Sequence, residues 1–204
     1  MLERRAAIAT LMANRPKDMF VVPGLGSTTY DMASLGEKDS DFYLWGAMGG
    51  AAMIGLGLAL ARPELKIWAF MGDGAFCMNP GMLMVERQMN LPNLTHILVS
   101  NRVYGATSNA ELPNFTDNDY AAIARAMGLE RVFEFRDLDV LERDFPSVAS
   151  SNSSGHTFVV LEVQPFSDAE QQLEQPPFDG PELKYRFGRH IETRTGCEVF
   201  GYHI

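Results

Sequence analysis

One apolar segment and the tripeptide after it constrain the fold of this chain most strongly. The run Leu65–Met71 has the composition of a buried strand, and it ends directly on Gly72-Asp73-Gly74. We interpret this tripeptide as a tight turn, because glycine accepts the backbone conformations that tight turns need. The turn would present the Asp73 carboxylate at the carboxyl end of the strand, where open α/β sheets bind their ligands. The sequence therefore predicts a ligand site around Asp73.

A second apolar run, Leu94–Val99, ends in a similar way on Ser100-Asn101. The segment between the two runs, 79–90, has helical composition. A strand, a helix and a second strand would bring Asp73 and Asn101 to adjacent strand ends. A carboxylate and an amide oxygen suit Mg²⁺, which takes further ligands from a loop carbonyl, phosphate and water. We therefore expect a Mg²⁺ site at this edge.

Apolar strands alternate with helical segments along residues 2–164, which predicts a doubly wound, mostly parallel α/β sheet flanked by helices. The predicted strands are Met19–Val22, Asp41–Trp45, Leu65–Met71, Leu94–Val99, Arg131–Arg136 and Thr157–Val163. The predicted helices are Leu2–Asn14, Tyr30–Leu35, Ala51–Ala61, Asn79–Arg87, Tyr120–Met127 and Leu138–Ala149.

The predicted domain spans residues 1–165, and an extended C-terminal arm, 166–204, follows it. A chain of 204 residues suits a single domain with a substantial core. Beyond Pro165 the composition shifts to glutamine, proline and charge, and the prolines within 176–181 disfavour a helix or a strand there. We expect a short helix near Leu183–Arg189 and interpret the arm as a subunit-packing element.

The net charge of −9 argues against a nucleic-acid or anionic-membrane surface, since either would need a basic patch. It does not exclude a small anionic substrate, because a few local cations outweigh distant charge. No apolar run reaches the ~20 residues of a membrane span. The N-terminus does not resemble a signal peptide, so we expect a cytoplasmic protein.

Two glycine-rich segments at predicted strand ends leave alternatives open. The segment Gly24–Thr29 is either a plain turn with a helix cap or a contact for a small anion. The segment Gly46–Gly50 and the two glycines in the helix after it indicate that something approaches this backbone closely.

The loop Asn101–Thr116 is long for a compact domain, which is typical of a functional loop. It makes Arg102, Tyr104, Ser108 and Asn109 available to a ligand. His156, before the last predicted strand, is interpreted as a surface or satisfied histidine in preference to a substrate contact.

Gly72-Asp73-Gly74, 25 intervening residues and then Ser100-Asn101 resemble the fingerprint of the thiamine-diphosphate-dependent enzymes, whose second motif is Asn-Asn. The resemblance implies that Asp73, the Asn101 side chain and the Val103 carbonyl hold a Mg²⁺ that clamps the cofactor's diphosphate. The other cofactor contacts implied in these two segments are Gly72, Gly74, Ala75, Tyr104 and Gly105. Ser100 departs from the fingerprint, and the departure bears on local geometry more than on metal binding.

Gly46-Ala47-Met48-Gly49 resembles an element that the same enzymes carry before Gly-Asp-Gly. The resemblance implies that the Gly46 carbonyl and the Met48 amide contact the aminopyrimidine ring. It also implies that the Met48 side chain wedges the cofactor into a bent shape. The alternative is that Met48 is one core methionine among twelve.

The resemblance covers about residues 18–165 and only the diphosphate-binding half of such an enzyme. These enzymes also need a pyrimidine-binding domain, whose glutamate activates the cofactor. Neither Glu86 nor Glu111 matches that role, so the catalytic residue is expected on a partner chain. The chain therefore resembles a β subunit that pairs with a pyrimidine-domain α subunit in a hetero-oligomer, such as α2β2 or larger.

Within the family, the short length and the segments Phe42–Gly49 and Gly24–Ser27 are most similar to the sulfopyruvate and phosphonopyruvate decarboxylases. The implied reaction is decarboxylation of a 3-substituted pyruvate, a small anionic 2-oxo acid, to an aldehyde and CO₂. Two alternatives stay open. One is another thiamine-diphosphate reaction, such as acetolactate-type carboligation or 2-oxo acid oxidation; the other is a non-catalytic α/β interaction domain.

Overall fold

A computed structural model describes residues 1–150, 154–165 and 179–201. Its strands form one sheet in the order β1-β2-β3-β5-β4, and every neighbouring pair is parallel. The strands are β1 Met19–Pro23, β2 Lys66–Gly72, β3 Leu94–Ser100, β4 Arg131–Phe135 and β5 Thr157–Glu162. The predicted parallel α/β sheet is confirmed.

The predicted strand Asp41–Trp45 is wrong. The segment runs beside β1, where one isolated bridge joins Val21 to Asp41. The Leu44 amide then donates to the Pro23 carbonyl at 2.9 Å. Because Pro23 has no N–H to return a bond to this segment, the parallel ladder is interrupted and no strand forms.

The described helices are α1 Arg4–Ala13, α2 Ser27–Ser34, α3 Ala51–Ala61, α4 Asp73–Met78, α5 Met82–Met89, α6 Tyr120–Ala126, α7 Leu138–Ser150 and α8 Gly180–Thr195. The prediction for α3 matches at both ends. Helices α6 and α7 begin as predicted and end one residue from the predicted position, while α1 begins two residues later and ends one residue earlier than predicted. None of the described helices is long and apolar enough to cross a membrane.

Helices cover both faces of the sheet, so successive side chains of β2 enter different cores. Trp68 and Phe70 join the cluster formed with α1 and α7. Ala69 belongs to a cluster that contains α3 residues, and Met71 to one with α3, α5 and α6 residues. Burial on both faces explains why the strands are continuous apolar runs.

Helix α8 is longer than the predicted Leu183–Arg189 helix. It begins at Gly180, after an Asp179 cap whose side chain accepts from the Glu182 amide, and a proline occupies its first turn. The expectation that no helix forms within 176–181 is therefore wrong for its last two residues, while 166–178 lie outside the described residues. Phe187 packs edge-on against Phe20 of β1, with ring centroids 5.6 Å apart. The subunit-packing role of the arm stays a prediction.

Candidate functional site

A cavity of about 370 Å³ opens at the carboxyl edge of the sheet, beside the ends of β2 and β3. Of the predicted site residues, the cavity is lined by Met48, Gly72, Asp73, Gly74, Ala75, Asn101, Val103, Tyr104 and Gly105. The other two, Gly46 and Ala47, are exposed and do not line it. The fold therefore brings most of the predicted site residues together around this cavity.

The cavity is also lined by residues that the sequence analysis did not assign to the site: Arg4, Leu25, Gly26, Ser27, Thr28, Met78, Val99, Ala106 and Thr107. The glycine-rich loop after β1 gave a signal for four of them, because it too lies at a strand's carboxyl end. Arg4 gave none, because its place in the cavity depends on how α1 packs.

Asp73 is not in a tight turn, and that interpretation of Gly72-Asp73-Gly74 is wrong. It is the first residue of α4, which follows β2 with only Gly72 as its cap. Asp73 Oδ1 accepts from the Gly74 amide at 2.9 Å, within the first helical turn. A Cβ at Gly74 would lie 3.0 Å from the Tyr104 ring, so this position favours glycine for close packing. A Cβ at Gly72 would meet nothing within 4 Å.

The Asp73 carboxylate is buried, with 2% of the residue exposed. Burial raises its pKa to about 6, although hydrogen bonds from Arg102, Gly74 and Ser100 oppose that rise. Among the described residues no Lys, Arg or His side chain forms an ion pair with it. A buried carboxylate with neutral donors around it is suited to bind a cation.

The turn after β3 carries the other predicted metal ligands. Asn101 Oδ1 accepts from the Val103 amide at 3.1 Å, which leaves the amide oxygen one further lone pair. Val103 opposes Glu111 in an antiparallel bridge, and the flanking residues supply the hydrogen bonds. In such a pair the carbonyl of Val103 points away from its partner strand. The oxygen is therefore left for another contact.

Arg102 does not line this cavity, but it lines a separate one together with Asn109. Its guanidinium binds Glu162 with two hydrogen bonds, Nε to Oε2 at 3.1 Å and Nη2 to Oε1 at 3.0 Å. Ser108 and Asn109, also offered to a ligand, do not line the cavity beside Asp73. Of those four loop residues only Tyr104 does.

Ser100, where the fingerprint has its first Asn, is fully buried at the end of β3. Its hydroxyl lies 3.2 Å from Asp73 Oδ2 and 3.5 Å from Glu162 Oε2. A single hydroxyl proton can be donated to only one of these carboxylates at a time. Ser100 thus links the carboxyl ends of β2 and β5 through a short side chain.

Met48 is not a core methionine, because it is 38% exposed and lines the cavity. The backbone around it is bent by two residues with positive φ, Ala47 at 57° and Gly49 at 79°. A Cβ at Gly49 would lie 2.9 Å from the Cβ of Asn79, just beyond α4. The segment therefore holds Met48 against the cavity by packing on the end of α4.

The loop after β1 leads directly into α2, three residues earlier than predicted. Gly26 has φ of 102° and caps the helix, and the Thr29 hydroxyl donates to the Gly24 carbonyl. The hydroxyls thus lie inside the first turn of α2 and not in a loop. The anion contact remains a prediction; the turn and the helix start are observed.

A second buried polar cluster lies at the opposite end of β3, outside the cavity. Glu86 of α5 contacts His96 Nδ1 at 3.0 Å and His156 Nε2 at 3.1 Å, and all three are buried. Burial by itself would raise the pKa of Glu86, but the two histidines lower it to about 2. His156 is therefore an interior histidine paired with Glu86 and not a surface one, although its Nδ1 has no hydrogen-bond partner among the described residues. Nothing in the sequence indicated that Glu86 is its partner.

Residues 24–163 match the family described as "Thiamine pyrophosphate enzyme, C-terminal TPP binding domain". The chain belongs to this family. Its members bind the same cofactor that the fingerprint around Asp73 and Asn101 implies. The matched range begins directly after β1 and ends one residue after β5, so it covers every described strand of the sheet except β1.

Among thiamine pyrophosphate enzymes, the chain is 28% identical to the sulfopyruvate decarboxylase subunit beta of Methanocaldococcus jannaschii, covering 91% of this chain and 95% of that one. It is 31% identical to the phosphonopyruvate decarboxylase of Streptomyces viridochromogenes, covering 93% of this chain but 46% of that enzyme. The chain thus spans nearly all of the first relative and less than half of the second.

The solved structure of benzoylformate decarboxylase from Polynucleobacter necessarius has the same fold, with a TM-score of 0.67 at 19% identity. The match covers 81% of this chain and 34% of that one. This thiamine pyrophosphate enzyme domain therefore corresponds to about a third of that longer protein.

Proposed function

We propose that this chain is the β subunit of a thiamine-diphosphate- and Mg²⁺-dependent decarboxylase of 3-substituted pyruvates, sulfopyruvate or phosphonopyruvate. The observation that carries the proposal is the buried Asp73 carboxylate, which lines one cavity with Asn101 and Val103 in a thiamine pyrophosphate enzyme domain. The substrate class is supported by the similarity to a sulfopyruvate decarboxylase β subunit over nearly its full length.

The donor set fits Mg²⁺. Asp73 would supply a carboxylate oxygen, Asn101 an amide oxygen and Val103 a main-chain carbonyl, all hard oxygen donors. Among the described residues Asp73 forms no ion pair, so bound Mg²⁺ would be its direct positive partner and would favour the ionised carboxylate. Phosphate and water would complete the coordination.

The cavity also fits the cofactor's diphosphate half. The amides of Gly74 and Ala75 lie in the first turn of α4, next to Asp73, and would donate to phosphate oxygens. For the Gly74 amide this contact would replace its present bond to Asp73 Oδ1. Gly72 leaves space on the cavity side, and Met48 would support the cofactor in its bent shape. The Gly46 carbonyl and Tyr104 and Gly105 would complete the contacts. When bound, thiamine diphosphate supplies the electron sink that decarboxylation of a 2-oxo acid requires.

The described cavity wall contains no glutamate; its ionisable side chains are Arg4, Asp73 and Tyr104. Asp73 is assigned to the metal, so no acid remains to protonate the aminopyrimidine ring. We infer that a separate pyrimidine-domain α subunit provides the glutamate that activates the cofactor, and that the two subunits form a cytoplasmic hetero-oligomer. The substrate would then bind between the two subunits as a small anion.

The test is to purify the full chain alone and with a candidate pyrimidine-domain subunit, then supply Mg²⁺, thiamine diphosphate and sulfopyruvate or phosphonopyruvate. CO₂ release and the aldehyde product are measured. We expect activity only with the partner present. Full activity of the verified partner-free chain would contradict the split-enzyme proposal, and a carboligation or oxidation product would replace decarboxylation with another thiamine-diphosphate reaction.

A further inference from the structure

Arg102 stands between two of the proposed metal ligands in a backbone conformation that non-glycine residues rarely adopt. Its φ is 63°, in the left-handed region. In this conformation the Arg102 amide donates to Asp73 Oδ2 at 2.6 Å, and the next amide, of Val103, donates to Asn101 Oδ1. The bend at Arg102 therefore sets how all three proposed ligands lie relative to one another.

The Arg102 side chain offsets that unfavourable backbone by reaching across the base of its own loop. Its Nη1 donates to the Phe115 carbonyl at 2.5 Å, and its Nη2 donates to the Asn118 carbonyl at 3.0 Å. Both acceptors lie at the far end of the loop that begins at Asn101. One guanidinium thus joins the two ends of the loop.

The same guanidinium is anchored to the sheet through Glu162, the last residue of β5. The pair is bidentate, and Glu162 is only 2% exposed. Paired nitrogens and oxygens in this geometry fix orientation as well as distance. Because Ser100 also lies within reach of Glu162 and Asp73, the anchor is continuous with the proposed metal site.

We propose that Arg102 and Glu162 are positioning residues, a clasp that holds the loop 101–119 in the shape that presents Asn101 and Val103 to a metal bound by Asp73. The effect of the clasp on a metal rests on the proposed function, whereas its effect on the loop does not. Neither residue lines the cavity beside Asp73. The loop also supplies Tyr104, Gly105 and Thr107 to the cavity wall, so the clasp shapes that wall too.

Three variants separate the parts of the clasp. Arg102→Gly permits the left-handed backbone but removes the guanidinium, whereas Arg102→Met removes the donors and keeps the backbone penalty. Glu162→Gln keeps the side-chain shape and removes the charge. Asp41→Asn is the matched control, because Asp41 forms another buried ion pair, with Arg15, and neither residue lines the cavity.

The first measurement is hydrogen–deuterium exchange of peptides from 101–119 in the full chain without cofactor, at a temperature where every variant is folded by circular dichroism. We expect exchange in the loop to rise about tenfold or more in both Arg102 variants, because loop opening becomes more frequent. Glu162→Gln should give a smaller rise. Asp41→Asn should lower the melting temperature and leave loop exchange unchanged.

The second measurement is the Mg²⁺ concentration that half-saturates thiamine diphosphate binding, determined by calorimetry on the chain with its partner subunit. Loss of an outer partner of metal ligands typically weakens metal binding about 10–100-fold, so both Arg102 variants should shift the midpoint upward by that range. The Asp41→Asn midpoint should match that of the unmodified protein.

Unchanged hydrogen exchange of the loop in Arg102→Gly would overturn the clasp proposal. Faster exchange with an unchanged Mg²⁺ midpoint would also overturn it, because the loop would then not position the metal ligands. A different result distinguishes failure of the proposed function. If the unmodified protein shows no Mg²⁺-dependent binding, the metal proposal falls, while the exchange measurement still decides whether the clasp holds the loop.

Discussion

The backbone N–H of Arg102 donates a 2.6 Å hydrogen bond to Oδ2 of Asp73. This bond ties the turn after β3 to the first residue of α4, which follows β2. The two motifs of the fingerprint are far apart in the sequence, but they form one hydrogen-bonded unit at the edge of the sheet. A disturbance of either motif should therefore affect the other.

Met48 lines the cavity and is partly exposed, which predicts a functional and not a core role. Met48→Gly should reduce turnover of the reconstituted enzyme more than it reduces the melting temperature, because little buried contact is lost. Met48→Leu keeps most of the volume and serves as the control, with near-normal turnover. A large loss of stability in Met48→Gly with normal turnover per folded molecule would instead favour a core role.

Gly49 and Gly46 should respond differently to the same substitution. Gly49 has φ of 79° and a Cβ there would meet Asn79 at 2.9 Å, so Gly49→Ala is strained in two ways. We expect it to lower the free energy of unfolding by about 1–2 kcal/mol or more. A Cβ at Gly46 would meet nothing within 4 Å, so Gly46→Ala should leave stability nearly unchanged. Urea unfolding of both variants measures the difference, and equal losses would refute this account of Gly49.

The Glu86 cluster predicts a stability change at acidic pH. The pKa of Glu86 in the folded protein is lowered to about 2 from an ordinary 4.5. Below 4.5 the unfolded chain takes up a proton that the folded chain does not, so this contribution is complete above 4.5 and declines as pH falls toward 2. Melting temperatures between these values should fall less steeply with decreasing pH in Glu86→Gln than in the unmodified protein.

Glu130→Gln is the control for that measurement, because Glu130 lies at the surface with 81% of its side chain exposed. Its pH dependence should match that of the unmodified chain, since exposed ion pairs contribute little. If Glu86→Gln and the unmodified chain lose stability in parallel on acidification, Glu86 does not supply the predicted contribution.

The sheet and the location of the site could be predicted because strands buried on both faces are apolar runs, and parallel strands end at a common edge. The local sequence pattern predicted the wrong secondary structure at two positions. The missing N–H of Pro23 prevents the strand Asp41–Trp45, and β2 passes into α4 at Asp73 although Gly72-Asp73-Gly74 has the composition of a turn.

Side-chain partners distant in sequence could not be predicted. Arg102 looked available to a ligand, but Glu162 occupies its guanidinium. Glu86 and His156 looked unrelated, yet α5 places Glu86 beside His96 of β3 and beside His156, which directly precedes β5. Such pairs depend on how the elements pack, and no local spacing in a single sequence reports them.

Asn101 should matter less than Asp73 for metal binding, because an amide ligand carries no charge. Asn101→Ala should weaken Mg²⁺-dependent retention of thiamine diphosphate while leaving part of it. The variant also loses the bond from the Val103 amide, so it should increase hydrogen exchange in the following loop. Equal losses of cofactor binding in Asn101→Ala and Asp73→Ala would show that charge is not what distinguishes the two positions.

The most direct test is the affinity for thiamine diphosphate, measured by calorimetry on the chain with its partner subunit, in excess Mg²⁺ and in excess EDTA. The unmodified protein should bind only with Mg²⁺. Asp73→Ala should lose this binding without unfolding, because Asp73 belongs to none of the apolar clusters that form the core. Its melting temperature should fall modestly, because the Arg102 amide and the Ser100 hydroxyl lose their acceptor. An affinity in Asp73→Ala equal to that of the unmodified protein, or one that persists in EDTA, would contradict the proposed cofactor site.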